Sequence, residues 1–155
     1  MLSMLGGVVG DSAVWRAQSE FAKTWRFKHP TPWDYMFTMS RALGRNLDWF
    51  WYYWLFTTET SNGSIVSATS QTGGRTTVTV RQDGEMPAPV VLKVDFADNT
   101  SQTYTFPVDV WFPGNRTFNA VFDVGNRTIT KITYDPHGRF PDRDASDNVW
   151  PRPAT

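Results

Sequence analysis

The side chains able to do chemistry are few and scattered. His29 and His137 are the only imidazoles, 108 positions apart, each beside a proline. A catalytic zinc takes three protein ligands and keeps one position open for water. No His-Glu-x-x-His stretch occurs, so the two histidines read as loop residues bonding backbone. Cysteine is absent, which removes thiolate nucleophiles, Cys-ligated zinc, iron–sulfur clusters and disulfides together. Asp142-Arg143-Asp144-Ala145-Ser146-Asp147-Asn148 sets oxygen-bearing side chains at close intervals, as a calcium loop does to collect six to eight oxygens. It lacks the glycine and distal glutamate of an EF-hand, and the competing reading is a polar turn whose Asp and Asn accept backbone N–H groups. Asp83-Gly84-Glu85 and Asp98-Asn99 pair carboxyl and amide groups, but both read as hairpin turns, where these residues serve the backbone. Four Asn-x-Ser/Thr acceptors, at Asn62, Asn99, Asn115 and Asn126, arise by chance in Thr-rich turns and carry little weight. No nucleophile elbow, phosphate loop or dinucleotide fingerprint appears. The sequence therefore assigns no catalytic residue and no metal ligand, and leaves substrate-binding residues open.

Composition narrows the classes further. The 155 residues carry 15 Lys plus Arg and 15 Asp plus Glu. A nucleic-acid-binding face needs a basic excess that this balance does not supply. Eight Trp and 15% aromatics are too many for a disordered chain. No run reaches the roughly 18–20 apolar residues of a membrane span. Met1–Val9 is apolar but has no positive n-region, and it reads as a turn or two of buried helix.

Two kinds of segment must position these groups. Residues 1–56 hold six of the eight Trp and four of the five Met, and read as helices. Asp11 or Ser12 caps a helix over Ser12–Phe27, with Val14, Ala17, Phe21 and Trp25 on one stripe, and Pro30 stops it. Thr31-Pro32-Trp33-Asp34 has the cap, the first-position proline and the first-turn acid of a helix start. Gly44 suits that helix's left-handed end. Asn46 caps a third helix, Leu47–Phe56, which is apolar nearly all round. Its aromatics Trp49–Trp54 could form a stacking platform, but such a run is more often core. Trp49, Phe50 and Trp54 are expected in a core that these helices leave incomplete, so that residues 1–56 belong to something larger.

Residues 57–155 turn to a period of two. Strands are expected at Ile65–Gln71, Thr76–Gln82, Val90–Phe96, Tyr104–Phe106, Val108–Phe112, Phe118–Val124 and Ile129–Tyr134. Pro87, Pro89 and Pro107 should sit at edges or strand starts. Beyond His137 a Pro- and Asp-rich tail is expected to run extended. The fold class is α+β: an N-terminal helical segment, 1–56, followed by an immunoglobulin-like antiparallel β-sandwich with its tail, 57–155.

Longer motifs carry a resemblance. Trp25-Arg26-Phe27-Lys28-His29-Pro30-Thr31-Pro32-Trp33-Asp34-Tyr35 is similar to a segment near the end of the catalytic domain in bacterial zinc aminopeptidase-like proteins, gluzincins related to aminopeptidase N. Gly44-Arg45-Asn46-Leu47-Asp48-Trp49-Phe50-Trp51 and Trp54-Leu55-Phe56-Thr57-Thr58 resemble that family's next motif. Gly84-Glu85-Met86-Pro87-Ala88-Pro89-Val90 and Asp135-Pro136-His137-Gly138-Arg139-Phe140-Pro141-Asp142 resemble stretches of its trailing β-domain and close.

The resemblance implies that residues 1–56 end a thermolysin-like catalytic domain. Met1-Leu2-Ser3-Met4-Leu5 would follow the family's catalytic Tyr, so the zinc ligands and the general base would precede this chain. The chain would then be a non-catalytic C-terminal part, inactive alone and with no cofactor of its own. Zinc, a peptide substrate and an upstream catalytic domain would belong to the whole protein, whose compartment is open, with export the family's habit. The alternative is a β-sandwich binding module for carbohydrate or protein.

Overall fold

The computed structural model describes residues 1–71 and 73–152. Among them the chain runs through helices α1 (Leu2–Val9), α2 (Asp11–Trp25), α3 (Pro32–Leu43) and α4 (Asp48–Phe56). Strands β1 (Gly63–Ser70), β2 (Arg75–Gln82), β3 (Val90–Phe96), β4 (Ser101–Phe106), β5 (Thr117–Asp123), β6 (Ile129–Tyr134) and β7 (Val149–Trp150) follow. The backbone divides into two compact units, Met1–Glu59 and Thr60–Thr155.

In the helical unit, α3 has the best-defined ends. The Asp34 backbone N–H donates to Thr31 Oγ1 at 3.3 Å, and the Thr31 N–H donates to Asp34 Oδ2 at 2.8 Å. This reciprocal pair satisfies two of the donors that a helix start leaves orphaned. Gly44 closes the helix at φ 62°, where a side chain would meet strain, and its N–H reaches back to the last turn. Two caps differ from expectation. Gly10, at φ 90°, both ends α1 and begins α2, so neither Asp11 nor Ser12 is the cap. Leu47 precedes α4, while Asn46 Oδ1 accepts from the Asp48 N–H at 2.8 Å. Asn46 thus caps that end from one position further out.

Helices α1 to α3 pack as consecutive neighbours, and α4 meets α1 and α3 through its side chains. Met4, Leu5, Val14, Ala17, Met36, Met39, Leu47, Phe50 and Trp51 form the core. Its indole N–H groups are met locally. Trp51 donates to Ser40 Oγ at 3.0 Å, Trp25 to Thr38 Oγ1 at 3.1 Å, and Trp54 to Met4 Sδ at 3.3 Å.

The second unit is a β-sandwich of two antiparallel sheets, ordered β1-β2-β5 and β4-β3-β6-β7. β3 alternates buried and half-buried positions without a break, with Val90, Leu92, Val94 and Phe96 inward. From the other sheet come Ile65, Val78, Val80, Ala120 and Phe122. Tyr104 stacks on Phe122 at 4.0 Å between centroids and donates its hydroxyl to the Asp123 carbonyl at 2.9 Å. Pro89 immediately precedes β3 and Pro107 immediately follows β4, so neither interrupts a ladder.

Three expectations are corrected here. Val108–Trp111 is a 3₁₀ turn, not a strand. Residues three apart eclipse in that geometry, so Val108 and Trp111 both point inward while Phe112 is exposed. The Trp111 indole then donates to the buried Ala88 carbonyl at 2.8 Å. Asp83-Gly84-Glu85 is no hairpin turn, since it leads from β2 in one sheet to β3 in the other. Arg116 ties it down through the Gly84 carbonyl at 2.8 Å and an ion pair with Glu85. The tail is not simply extended. Asp135 adopts φ 43° and accepts the N–H groups of Arg139 and Phe140 at 3.0 and 2.9 Å. Phe140 is buried, and the chain returns to add β7 beside β6.

Two expected outcomes test this unit. Phe122→Ala should cost about 3–5 kcal/mol, the usual loss for truncating a buried aromatic. Val121→Ala on the outward face should cost under about 1 kcal/mol. Urea unfolding of both variants reads the difference. The second concerns Tyr134, whose ring is buried and whose phenol ionises well above its ordinary value, through burial first and then the charges of Asp142 and Asp135. A raised folded value means that its contribution is fully present below the unfolded pKa of about 10 and is lost as pH rises toward the folded one. Stability should therefore fall above about pH 10. The fall should be shallower in Tyr134→Phe, measured by urea melts between pH 8 and 11.

Candidate functional site

The most distinctive surface lies in the helical unit. Along α4, Phe50 and Trp51 turn inward and are fully covered. Tyr52, Leu55 and Phe56 turn out, as do Trp33 and Phe37 of α3. Their exposures are large for such residues: 54% for Trp33, 66% for Phe37, 56% for Tyr52 and 55% for Phe56. Trp33 stacks on Phe56 with centroids 5.6 Å apart and lies 6.5 Å from Phe37. Together with Met36, Trp51 and Tyr52 they line a groove of ≈ 390 Å³ whose polar side chains are Ser40 and Asp48.

The cause is local. Asp48, Trp51, Tyr52 and Phe56 fall on one side of α4 at spacings of three and four, and Trp33, Met36, Phe37 and Ser40 do the same on α3. The capping box at Thr31 fixes where α3 begins, and the packing of α3 against α4 decides which of its residues meet that helix. Of the residues expected in a core that these helices leave incomplete, Phe50 does lie in the core. Phe50 is fully buried, and Trp49 and Trp54 are half-buried. The uncovered aromatics are Trp33, Phe37, Tyr52 and Phe56. Circumferential apolarity could indicate that some face would be left over, but not which one.

The sequence-level chemical candidates do not converge. His29 is exposed in the helical unit and His137 is exposed in the sandwich. Among the described residues no group of three or more His, Cys, Asp or Glu could hold a metal. The zinc that the resemblance implies for a longer protein therefore finds no ligand set of its usual kind here. The Asp142–Asn148 segment behaves first as a turn. Asp142 Oδ1 accepts from the Asp144 N–H at 3.0 Å, and Asp144 Oδ1 accepts from the Ser146 N–H at 3.0 Å and its hydroxyl at 2.6 Å. These bonds hold the Asp144 carboxyl below its ordinary value. Asp98 is held low in the same way, by the hydroxyl and N–H of Thr100. Asp147 differs. Burial raises it, and so do the charges of Asp144, Asp142 and Asp83, against a single opposing guanidinium, Arg152. Among the described residues no helix is long and apolar enough to cross a membrane.

Comparison with known proteins locates this fold. No family model matches the chain, and no curated protein matches it by sequence. Among solved structures it is similar to aminopeptidase A from Legionella pneumophila, determined in complex with aspartic acid, at 12% identity and a TM-score of 0.62. The likeness covers 79% of this chain, more than either unit alone, and 14% of that chain. This chain thus spans about a seventh of the length of the protein it matches, and at that identity the likeness concerns the fold.

The aromatic surface predicts a simple behaviour. The chain should bind a hydrophobic reporter dye. The double variant Phe37→Ser/Phe56→Ser should lower that fluorescence several-fold while keeping its helical circular dichroism, because both rings are mostly solvent-exposed. Unchanged dye binding would place the apolar surface elsewhere.

Proposed function

We propose that this chain is a non-catalytic C-terminal part of a zinc-dependent, aminopeptidase-like metallopeptidase. Its helices complete the end of the catalytic domain, and its β-sandwich supports that domain. The observation that carries this reading is the aromatic face of α3 and α4, joined to a fold shared with a much longer aminopeptidase. A face this apolar is characteristic of a surface that another body covers. The body fitting this reading is the upstream catalytic segment, with Trp33, Phe37, Tyr52 and Phe56 as anchors. Aromatic residues in pockets are the usual centres of such contacts.

The motifs Trp25–Tyr35 and Gly44–Thr58 support the same reading, since they supply α3, α4 and the residues that line the groove. Zinc, the attacking water and the peptide substrate belong, on this reading, to the upstream segment. The stand-alone binding module is less favoured. In the sandwich the large apolar side chains left exposed are Val66, Phe112 and Val121, with one aromatic among them. That is a poor surface for stacking a sugar.

The test is paired. The purified chain should show no turnover of fluorogenic aminoacyl substrates and no one-to-one zinc binding by calorimetry. A polypeptide carrying a His-Glu-x-x-His segment upstream of this chain should turn over. Phe37→Glu combined with Tyr52→Glu in that longer polypeptide should lower its soluble, active yield by at least about 10-fold, since a charge buried without a partner is strongly destabilising. Chelator-sensitive turnover by the isolated chain would overturn the proposal.

A further inference from the structure

Buried polar atoms in this chain are mostly paired, and the exceptions fall in one place. Five buried side-chain oxygens have no hydrogen-bonding partner among the described residues: Ser61 Oγ, Asn62 Oδ1, Tyr134 Oη, Asp147 Oδ1 and Asn148 Oδ1. All five belong to the sandwich unit. Ser61 and Tyr134 are each 2% exposed and Asn148 is 7% exposed.

The residues that carry them are joined in a closed circuit. The Tyr134 N–H donates to the Asn148 carbonyl at 2.8 Å. Asn148 Nδ2 donates to Asp142 Oδ2 at 2.9 Å. Asp142 bridges Ser61, and the neighbouring Arg143 N–H donates to the Ser61 carbonyl at 3.1 Å. The circuit closes at Gly63, where a Cβ would stand 2.7 Å from the Tyr134 hydroxyl. Asp147 lies one position before Asn148, and Asn62 one position after Ser61.

The chemistry of the set is one-sided. Asn62 Oδ1, Asp147 Oδ1 and Asn148 Oδ1 can only accept from a neutral donor or bind a cation. A buried water makes about three bonds and has two hydrogens to give, so one water cannot serve all three acceptors. The Asn148 amide donors are directed toward Asp142, which fixes Oδ1 on the other side of that side chain. The local charge points the same way, because the charges of Asp144, Asp142 and Asp83 raise Asp147, with Arg152 acting against them.

We infer that these five oxygens line a buried site for a hard divalent cation, calcium by preference, with Asp147 as its anionic ligand and Asn62 and Asn148 as amide-oxygen ligands. Calcium takes six to eight oxygens in an adaptable shell that mixes carboxylate, amide carbonyl and water. The hydroxyls of Ser61 and Tyr134 and solvent complete the shell. A single carboxylate ligand corresponds to the weak end of calcium affinity, a Kd on the order of 10⁻⁴ M. The ion would fasten the 60–63 segment to the returning tail, both of which lie on this circuit. The site is independent of any peptidase role and contains neither His nor Cys, the nitrogen and sulfur ligands that zinc favours.

The experiment uses the whole chain and terbium, a calcium substitute whose emission is sensitised by nearby aromatic rings such as Tyr134. Terbium titration should give saturable luminescence at one equivalent, and millimolar calcium should displace it. Calcium at about 10 mM should raise Tm by several degrees over a chelator-treated sample, as a ligand near 100 Kd does. Asp147→Asn should weaken terbium binding at least about 10-fold, while Asp98→Asn, in an exposed turn, should leave it unchanged. The wild-type titration stands alone if Asp147→Asn fails to fold. Absence of saturable luminescence together with an unshifted Tm would overturn the inference and leave the oxygens to ordered water. Undiminished binding in folded Asp147→Asn would equally overturn it.

Discussion

The helical unit is governed by the circumference of α4. Asp48–Phe56 carries aromatic or aliphatic side chains at every position after the first. A helix of that kind must be covered on all sides to escape water, and three short neighbours cannot do it. The core takes Phe50 and Trp51, and Tyr52, Leu55 and Phe56 are left. Everything else about the surface follows from this shortage. α3 offers Trp33 and Phe37 beside them, and the groove forms where the two surplus stripes meet. Burial of an apolar ring is worth roughly 1.5–3 kcal/mol, so a body able to cover four such rings would be held firmly there.

The sandwich obeys the opposite rule. Its inward positions are filled by its own two sheets, and among the described residues the unpartnered buried side-chain oxygens fall in one locality. Gln82 is a paired case. Its amide is buried between strands, accepting from the Asn62 N–H at 2.9 Å and donating to the Met86 carbonyl at 3.0 Å. That one side chain ties the start of β1 to the connection between the sheets. A unit that fills its apolar core internally can form without a partner, whereas the aromatic face of the helices is not covered from within its own unit.

Legibility in the sequence followed the range of the forces involved. The alternation of β3, the cap at Thr31 and the end at Gly44 are decided within a few residues, and were readable. The 3₁₀ turn was not. Val108-Asp109-Val110-Trp111 has an alternating look, and the tighter geometry goes with a contact far away in sequence, the Trp111 indole on the Ala88 carbonyl. β7 is two residues long and has no period to read. It exists because Asp135 reverses the chain and Phe140 finds the core. The uncovered face was readable as a quantity but not as a location, since the register between α3 and α4 decides which rings are left over.

The oxygen-lined circuit and the aromatic face share a logic. Each is a place where the chain's own groups stop one step short of mutual satisfaction, one in hydrogen bonding and the other in burial. A buried acceptor left unpaired costs about 1–3 kcal/mol, so three acceptors and two hydroxyls gathered at one locality call for a bound species or ordered water there. Other buried carboxyl and amide groups in the unit are paired, as those of Asp135 and Gln82 are. The chain therefore has the means to pair such groups. The locality that remains joins Ser61 and Asn62, which begin the unit, to Asn148 and Asp147, which nearly end it. A bound species there fastens the start of the unit to its returning tail, and it stabilises the fold according to its concentration relative to its Kd.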